Sequence, residues 1–135
     1  MLELLIVEDD PSLRLLYQEE FEDEGYRVHV AASGEEAIQE FRRNPIDGVI
    51  LDIRLGGMDG LEVLSNFLEH RADLAVVLNT AYTAFMSDFA SWSADHYVVK
   101  SSDLTELKAA VRDALLQRAT NRPVRRKARG RAKTA

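Results

Sequence analysis

Five short apolar segments recur along the chain, at residues 2–7, 27–31, 48–51, 75–78 and 96–99, separated by stretches whose apolar residues fall at helical spacing. That alternation selects α/β architecture, in which right-handed crossovers lay helices on both faces of a parallel sheet. Segments one, three and four are near-continuous in apolar character and read as strands buried on both faces. The second belongs at a sheet edge.

The helical stretches carry their own start and stop signals. Asp10 before Pro11 is an N-cap ahead of a favoured first helical residue, and Gly25 suits the stop after Leu13, Leu16, Tyr17 and Phe21. Ser33 with Glu36 is a capping-box pattern opening a helix through Ala37, Ile38 and Phe41. Asp59 caps a helix with a stripe of Leu61, Leu64, Phe67 and Leu68. A weaker pattern, Phe85, Phe89 and Trp92, predicts a short fourth helix over 84–92. A fifth starts near Ser102 or Asp103 and buries Leu104, Leu107, Val111, Ala114 and Leu115.

With 135 residues the chain suffices for one globular domain. Residues 1–117 hold 9 Lys+Arg against 23 Asp+Glu, whereas 118–135 hold 8 basic residues and no acid. An acidic body repels nucleic acid, so any such contact has to come through the basic end. The expected division is a domain over 1–118 and a basic, disordered tail over 119–135. No apolar run approaches the roughly 20 residues of a membrane span, and the first residues lack the basic character of a signal peptide. The absence of cysteine excludes disulfides, thiolate metal sites and a cysteine nucleophile. The expected location is the cytoplasm.

Ligands of open parallel α/β sheets bind outside the carboxyl ends of the strands. Here those ends carry Glu8 and Asp9, Asp52, Thr80 and Lys100: three carboxylates, a hydroxyl and an amine. Clustered carboxylates raise one another's pKa, and a divalent cation relieves the repulsion. An all-oxygen donor set favours Mg²⁺. A carboxylate in such a site can also serve as a nucleophile toward a phosphoryl group, whose oxygens Mg²⁺, Lys100 and Thr80 would stabilise.

The segments LLIVEDDP, LDIRLGGMDG, NTAY and YVVK, in that order, resemble the four motif regions of response regulator receiver domains from two-component signal transduction. The resemblance covers about residues 2–118; the four motifs together are specific, though each alone is weak. It implies a flavodoxin-like doubly wound five-stranded parallel sheet, order 2-1-3-4-5, with five helices. It makes Asp52 the phosphoacceptor, Asp9 a direct metal ligand, Glu8 a ligand through water and the carbonyl of Arg54 the backbone ligand of Mg²⁺. Thr80 becomes the switch hydroxyl, Lys100 the phosphate-pairing lysine and Tyr97 the aromatic whose rotamer reports phosphorylation. Ala81 leaves access beside the phosphoryl group. The implied activity is self-catalysed aspartyl phosphorylation and dephosphorylation in a bacterial, stand-alone regulator. Its partners would be a sensor histidine kinase or phosphotransfer protein and a downstream protein met through the 4-5 face. The rivals are a phosphorylation-independent scaffold on the same fold and a nucleic-acid-binding tail.

Taken singly, each site residue has a plainer role. Asp10 is explained as a cap, Glu8 and Asp9 as complements to a helix dipole, Asp52 and Thr80 as caps, Lys100 as a solvated cation and Tyr97 as half-buried packing. Their coincidence on ligand-side strand ends is the argument against that. His29, His70 and His96 have no metal-ligand spacing and read as surface or edge residues.

Departures from the family pattern carry expectations of their own. Ser101 stands where proline commonly follows the lysine, and a cis bond before a non-proline costs about 2.5–4 kcal/mol, so Lys100–Ser101 should be trans. The stretch 80–100 is short, which predicts an unusual, mobile fourth helix and a partner unlike those of dimeric DNA-binding regulators. Gly56, where proline is common, loosens the loop after Asp52.

Overall fold

The computed structural model describes residues 1–55, 59–81 and 93–120. In chain order they form β1 (Glu3–Val7), α1 (Pro11–Asp23), β2 (Arg27–Ala31), α2 (Gly34–Arg43), β3 (Gly48–Leu51), α3 (Gly60–His70), β4 (Ala75–Thr80), β5 (His96–Val99) and α4 (Thr105–Thr120). The expected helix over 84–92, Gly56 and the segment 121–135 lie outside the described residues, which hold four helices.

All strands are parallel, in the order β2-β1-β3-β4-β5. The expected order holds, with β2 at an edge and the three most apolar strands inside. Side chains alternate between the two sheet faces, and each face has its own core. On one, Leu5, Val49, Leu51, Val76 and Leu78 pack against Ala37, Phe41, Val63, Leu64 and Phe67 of α2 and α3. On the other, Leu4, Ile6, Ile50 and Val77 meet Tyr17 and Phe21 of α1 and Leu107, Val111, Ala114 and Leu115 of α4.

The caps do the work the sequence assigned to them. Asp10 accepts from the N–H groups of Ser12 (2.9 Å) and Leu13 (3.3 Å), and Asp59 from that of Leu61 (2.9 Å). Ser33 Oγ accepts from Glu36 N–H, while the Glu36 carboxylate reaches back to the N–H of Ala32. Gly25, at φ +99°, turns the chain out of α1 in a conformation that side-chain-bearing residues rarely adopt.

Three local details differ from the sequence reading. Leu16 is exposed, because the buried line of α1 follows the four-residue spacing through Leu13, Tyr17 and Phe21. Strand β4 runs on through Asn79 and Thr80, which pair with Val98 and Val99. The last helix opens at Thr105, after an irregular segment, 101–104, that is held by side-chain hydrogen bonds. There Ser101 Oγ accepts from Asp103 N–H, and Asp103 accepts from Thr105 N–H. At its far end α4 continues to Thr120, anchored by Arg118 Nη1 on Asp47 Oδ1 at 2.9 Å.

Phe67 is wholly buried and stacks on Phe41 with ring centroids 4.5 Å apart. Truncating a buried aromatic removes transfer energy and leaves a cavity. Phe67→Ala should therefore lower stability by about 3–5 kcal/mol, read as a lower urea midpoint with unchanged slope.

Candidate functional site

The strand register places the first acidic residues side by side. Val7 of β1 pairs with Leu51 of β3, so the residues that follow, Glu8 and Asp52, emerge next to one another. The ladder holds both at the backbone: Glu8 N–H donates to Ala31 O (3.0 Å) and Asp52 N–H to Val7 O (3.3 Å). On the other flank Thr80 pairs with Val99, and the next residue, Lys100, donates its N–H to Thr80 O at 2.9 Å.

Glu8, Asp9 and Asp52 each offer a carboxylate oxygen within 4.8 Å of the others. Glu8 is 2% exposed and Asp52 5%, while Asp9 faces solvent. Lys100 Nζ lies 2.7 Å from Asp52 Oδ2 and 2.8 Å from Glu8 Oε1. These groups, with Asp10, Leu13, Arg54, Leu55 and Ala81, line a cleft of about 440 Å³. Thr80 is fully buried at the end of β4, and Tyr97 is buried in the core on the α2–α3 side rather than half-buried.

The described residues contain no cis peptide, so Lys100–Ser101 is trans as expected, and Lys100 still reaches both carboxylates. The three histidines stand apart from the cleft. His29 pairs with Glu3 (2.8 Å), His96 with Asp113 (2.7 Å), and His70 Nδ1 lies 2.9 Å from Asn66 O.

Burial disfavours the ionised form of Glu8 and raises its pKa, outweighing the hydrogen bonds from Lys100 and from the Asp10 N–H. For Lys100 the balance is reversed. Burial alone would depress its pKa, but hydrogen bonds to Asp52 and Glu8 hold it above the usual lysine range. The site thus gathers three carboxylates around one ammonium, an excess of negative charge on oxygen donors. That chemistry fits a hard divalent cation such as Mg²⁺, with Glu8, Asp9 and Asp52 as side-chain donors.

Two contributors escaped the sequence reading. Arg14 Nη1 donates to the carbonyl oxygens of Glu8 (3.0 Å) and Asp9 (3.4 Å), bracing the turn that carries both acids. The available signal was a cation at the end of a helix's first turn, where the macrodipole favours anions. Gly60 opens α3 against the segment after β3. A Cβ there would sit 2.3 Å from Asp52 O and 2.7 Å from Ile53 O, so only glycine admits this approach. In the sequence an Asp-Gly pair signals merely a turn or helix start.

A raised native pKa means that the folded protein takes up the Glu8 proton at higher pH than the unfolded chain does. The native state then binds more protons between those two values, and stability rises as pH falls through that window. In EDTA, wild type should gain stability as pH drops from neutral toward the unfolded Glu value of about 4.3, over and above the shared background. Glu8→Gln should lack that increment. Urea midpoints of the two proteins across the pH range measure the difference.

Comparison with known proteins identifies the family. The model of the response regulator receiver domain matches residues 4–112. The chain is 32% identical to sporulation initiation phosphotransferase F of Bacillus subtilis over 114 residues, which are 83% of this chain and 92% of that protein. It is 38% identical over 117 residues (85% of the chain) to the transcriptional activator protein PfeR of Pseudomonas aeruginosa. The chain spans 38% of the length of PfeR and 27% of that of the regulatory protein AtoC of Escherichia coli. Among solved structures, the response regulator TrrA of Thermotoga maritima, in complex with Mg²⁺-BeF, superposes with a TM-score of 0.79 at 43% identity, covering 84% of this chain and 99% of that one. TrrA in complex with the histidine kinase ThkA gives a TM-score of 0.77, covering 85% and 99%. The chain belongs to the receiver domain family of two-component response regulators.

Proposed function

We propose that this domain accepts a phosphoryl group from a histidine kinase or a phosphotransfer protein onto Asp52, and thereby changes its affinity for a downstream protein partner in the cytoplasm. The convergence of Glu8, Asp9 and Asp52, with Lys100 at 2.7 Å from Asp52, is the observation that supports this reading. The complexes of TrrA, one with Mg²⁺-BeF and one with a histidine kinase, support it from outside the chain.

An Asp52 oxygen attacks phosphorus of the donor's phosphohistidine. The P–N bond breaks, a P–O bond forms, and the histidine nitrogen leaves with the electron pair and regains a proton. Water later cleaves the acyl phosphate, restoring the carboxylate and releasing inorganic phosphate. Asp9, Asp52 and the Arg54 carbonyl, with Glu8 acting through water, would hold Mg²⁺, which would supply positive charge to the phosphoryl oxygens. Lys100 stands beside Asp52 to neutralise a further oxygen, and Thr80 offers its hydroxyl from the neighbouring strand end. Leu13 and Leu55 line the cleft beside the acids, and the small Ala81 leaves access to the reacting group. Attraction of Thr80 toward the new phosphate, with repacking of Tyr97, carries the change to the 4-5 face, the surface on the β4–β5 side of the sheet.

Incubated with radiolabelled acetyl phosphate and Mg²⁺, wild type should retain label in acid-stable, base-labile form. Asp52→Asn should retain background only, and EDTA should abolish labelling of wild type. Equal labelling of wild type and Asp52→Asn overturns the assignment.

A further inference from the structure

The turn that presents Glu8 and Asp9 is braced by a side chain the phosphoryl chemistry leaves unused. Arg14 reaches back from α1, and its Nη1 donates to Glu8 O at 3.0 Å and to Asp9 O at 3.4 Å. The guanidinium engages main-chain carbonyls, so it neutralises none of the acidic oxygens directly. Glu8 is secured by other contacts as well: Oε1 faces Lys100 at 2.8 Å, and Oε2 accepts from Asp10 N–H at 3.1 Å. Asp9 is different. It is exposed, and its peptide must be oriented if its carboxylate is to stay beside Asp52.

We propose that Arg14 is a positioning residue for the divalent-cation site, fixing the carbonyls of Glu8 and Asp9 so that the Asp9 carboxylate is already directed toward Asp52. The inference rests on the reading of Glu8, Asp9 and Asp52 as Mg²⁺ ligands. Groups that orient metal ligands typically change affinity by about 10–100-fold when removed. Two effects of Arg14 oppose one another, which makes the sign informative. As a cation beside an acidic cleft it repels Mg²⁺, so its loss should tighten binding. As a brace it pre-orders the donors, so its loss should weaken binding. The brace prevails, because the guanidinium is hydrogen-bonded to the turn itself.

Calorimetric titration with Mg²⁺ of the full chain, Arg14→Gln and Arg14→Lys decides between them. Arg14→Gln should bind Mg²⁺ about tenfold more weakly or worse, while Arg14→Lys, which keeps a donor and the charge, should fall between. The Mg²⁺-induced rise in thermal midpoint should shrink in the same order, with midpoints in EDTA near that of wild type. Labelling by acetyl phosphate should need more Mg²⁺ for half-saturation yet reach the wild-type yield, which a general loss of structure would not allow. Unchanged or tighter Mg²⁺ binding by Arg14→Gln, beside normal binding by wild type, overturns the role of Arg14 and leaves the cation site standing. Absence of Mg²⁺ binding by wild type overturns the cation reading itself, and the brace with it.

Discussion

Two buried carboxylates that share one ammonium set the terms for the rest of the molecule. Glu8 and Asp52 have lost nearly all contact with water, and moving an ionised group out of water costs several kcal/mol even after relaxation. Lys100, within 2.8 Å of both, compensates one of those charges and leaves the other, together with Asp9, in excess. A chain can hold such a cluster only if the surrounding scaffold is rigid enough to refuse the easier outcome, in which the acids swing apart into solvent. The residual negative charge then makes cation binding and folding stability one linked equilibrium, since whatever binds the native cluster and not the unfolded chain stabilises the fold.

The scaffold's rigidity comes from a ladder pinned at both ends. Slipping one strand by a single residue would turn every side chain to the opposite face, burying Asp9 where Glu8 now stands. At the ligand edge the register is held by Glu8 on Ala31 and Asp52 on Val7. At the opposite edge Asp47 holds the start of β1 from two sides: its N–H donates to Glu3 O at 2.8 Å, and its Oδ2 accepts from Glu3 N–H at 2.8 Å. Its remaining oxygen receives Arg118, so the end of α4 is tied to the same point. Apolar cores on both faces leave the strands no room to rotate. An acidic site at one edge is thus secured in part by an acidic residue at the other.

How much of this was legible in the sequence follows from the range of each interaction. The strands, their order and the residues at their carboxyl ends come from periodicity, a family resemblance and a topological rule, so Glu8, Asp52, Thr80 and Lys100 could be named before any coordinates. Caps are local, and Asp10, Ser33 and Asp59 act as their immediate neighbours predict. Gly60 was opaque because its constraint is a backbone approach to Asp52 and Ile53, and sequence spacing says nothing of what lies across a gap. Arg14 was opaque for another reason: it bonds to carbonyls, which every residue carries, so no partner type marks the pairing. The helix expected over 84–92 rests on three aromatic positions alone.

In the proposed reaction Lys100 serves twice, and that links the site to the sheet. Its ammonium faces Asp52 and Glu8, while its backbone N–H is bonded to the carbonyl of Thr80. The residue that would face a phosphoryl group on Asp52 is therefore also bonded, through its peptide, to the end of β4. The Thr80 hydroxyl and the Lys100 amine thus spring from neighbouring strand ends, because Thr80 and Val99 are ladder partners. Two residues back along β5, Tyr97 packs in the same core as Leu78, on the face shared with α2 and α3. Close-packed interiors resist small graded shifts and pass between discrete arrangements instead. On the proposed reading, a charge change at Asp52 would reach the buried Tyr97 by way of the adjacent ends of β4 and β5.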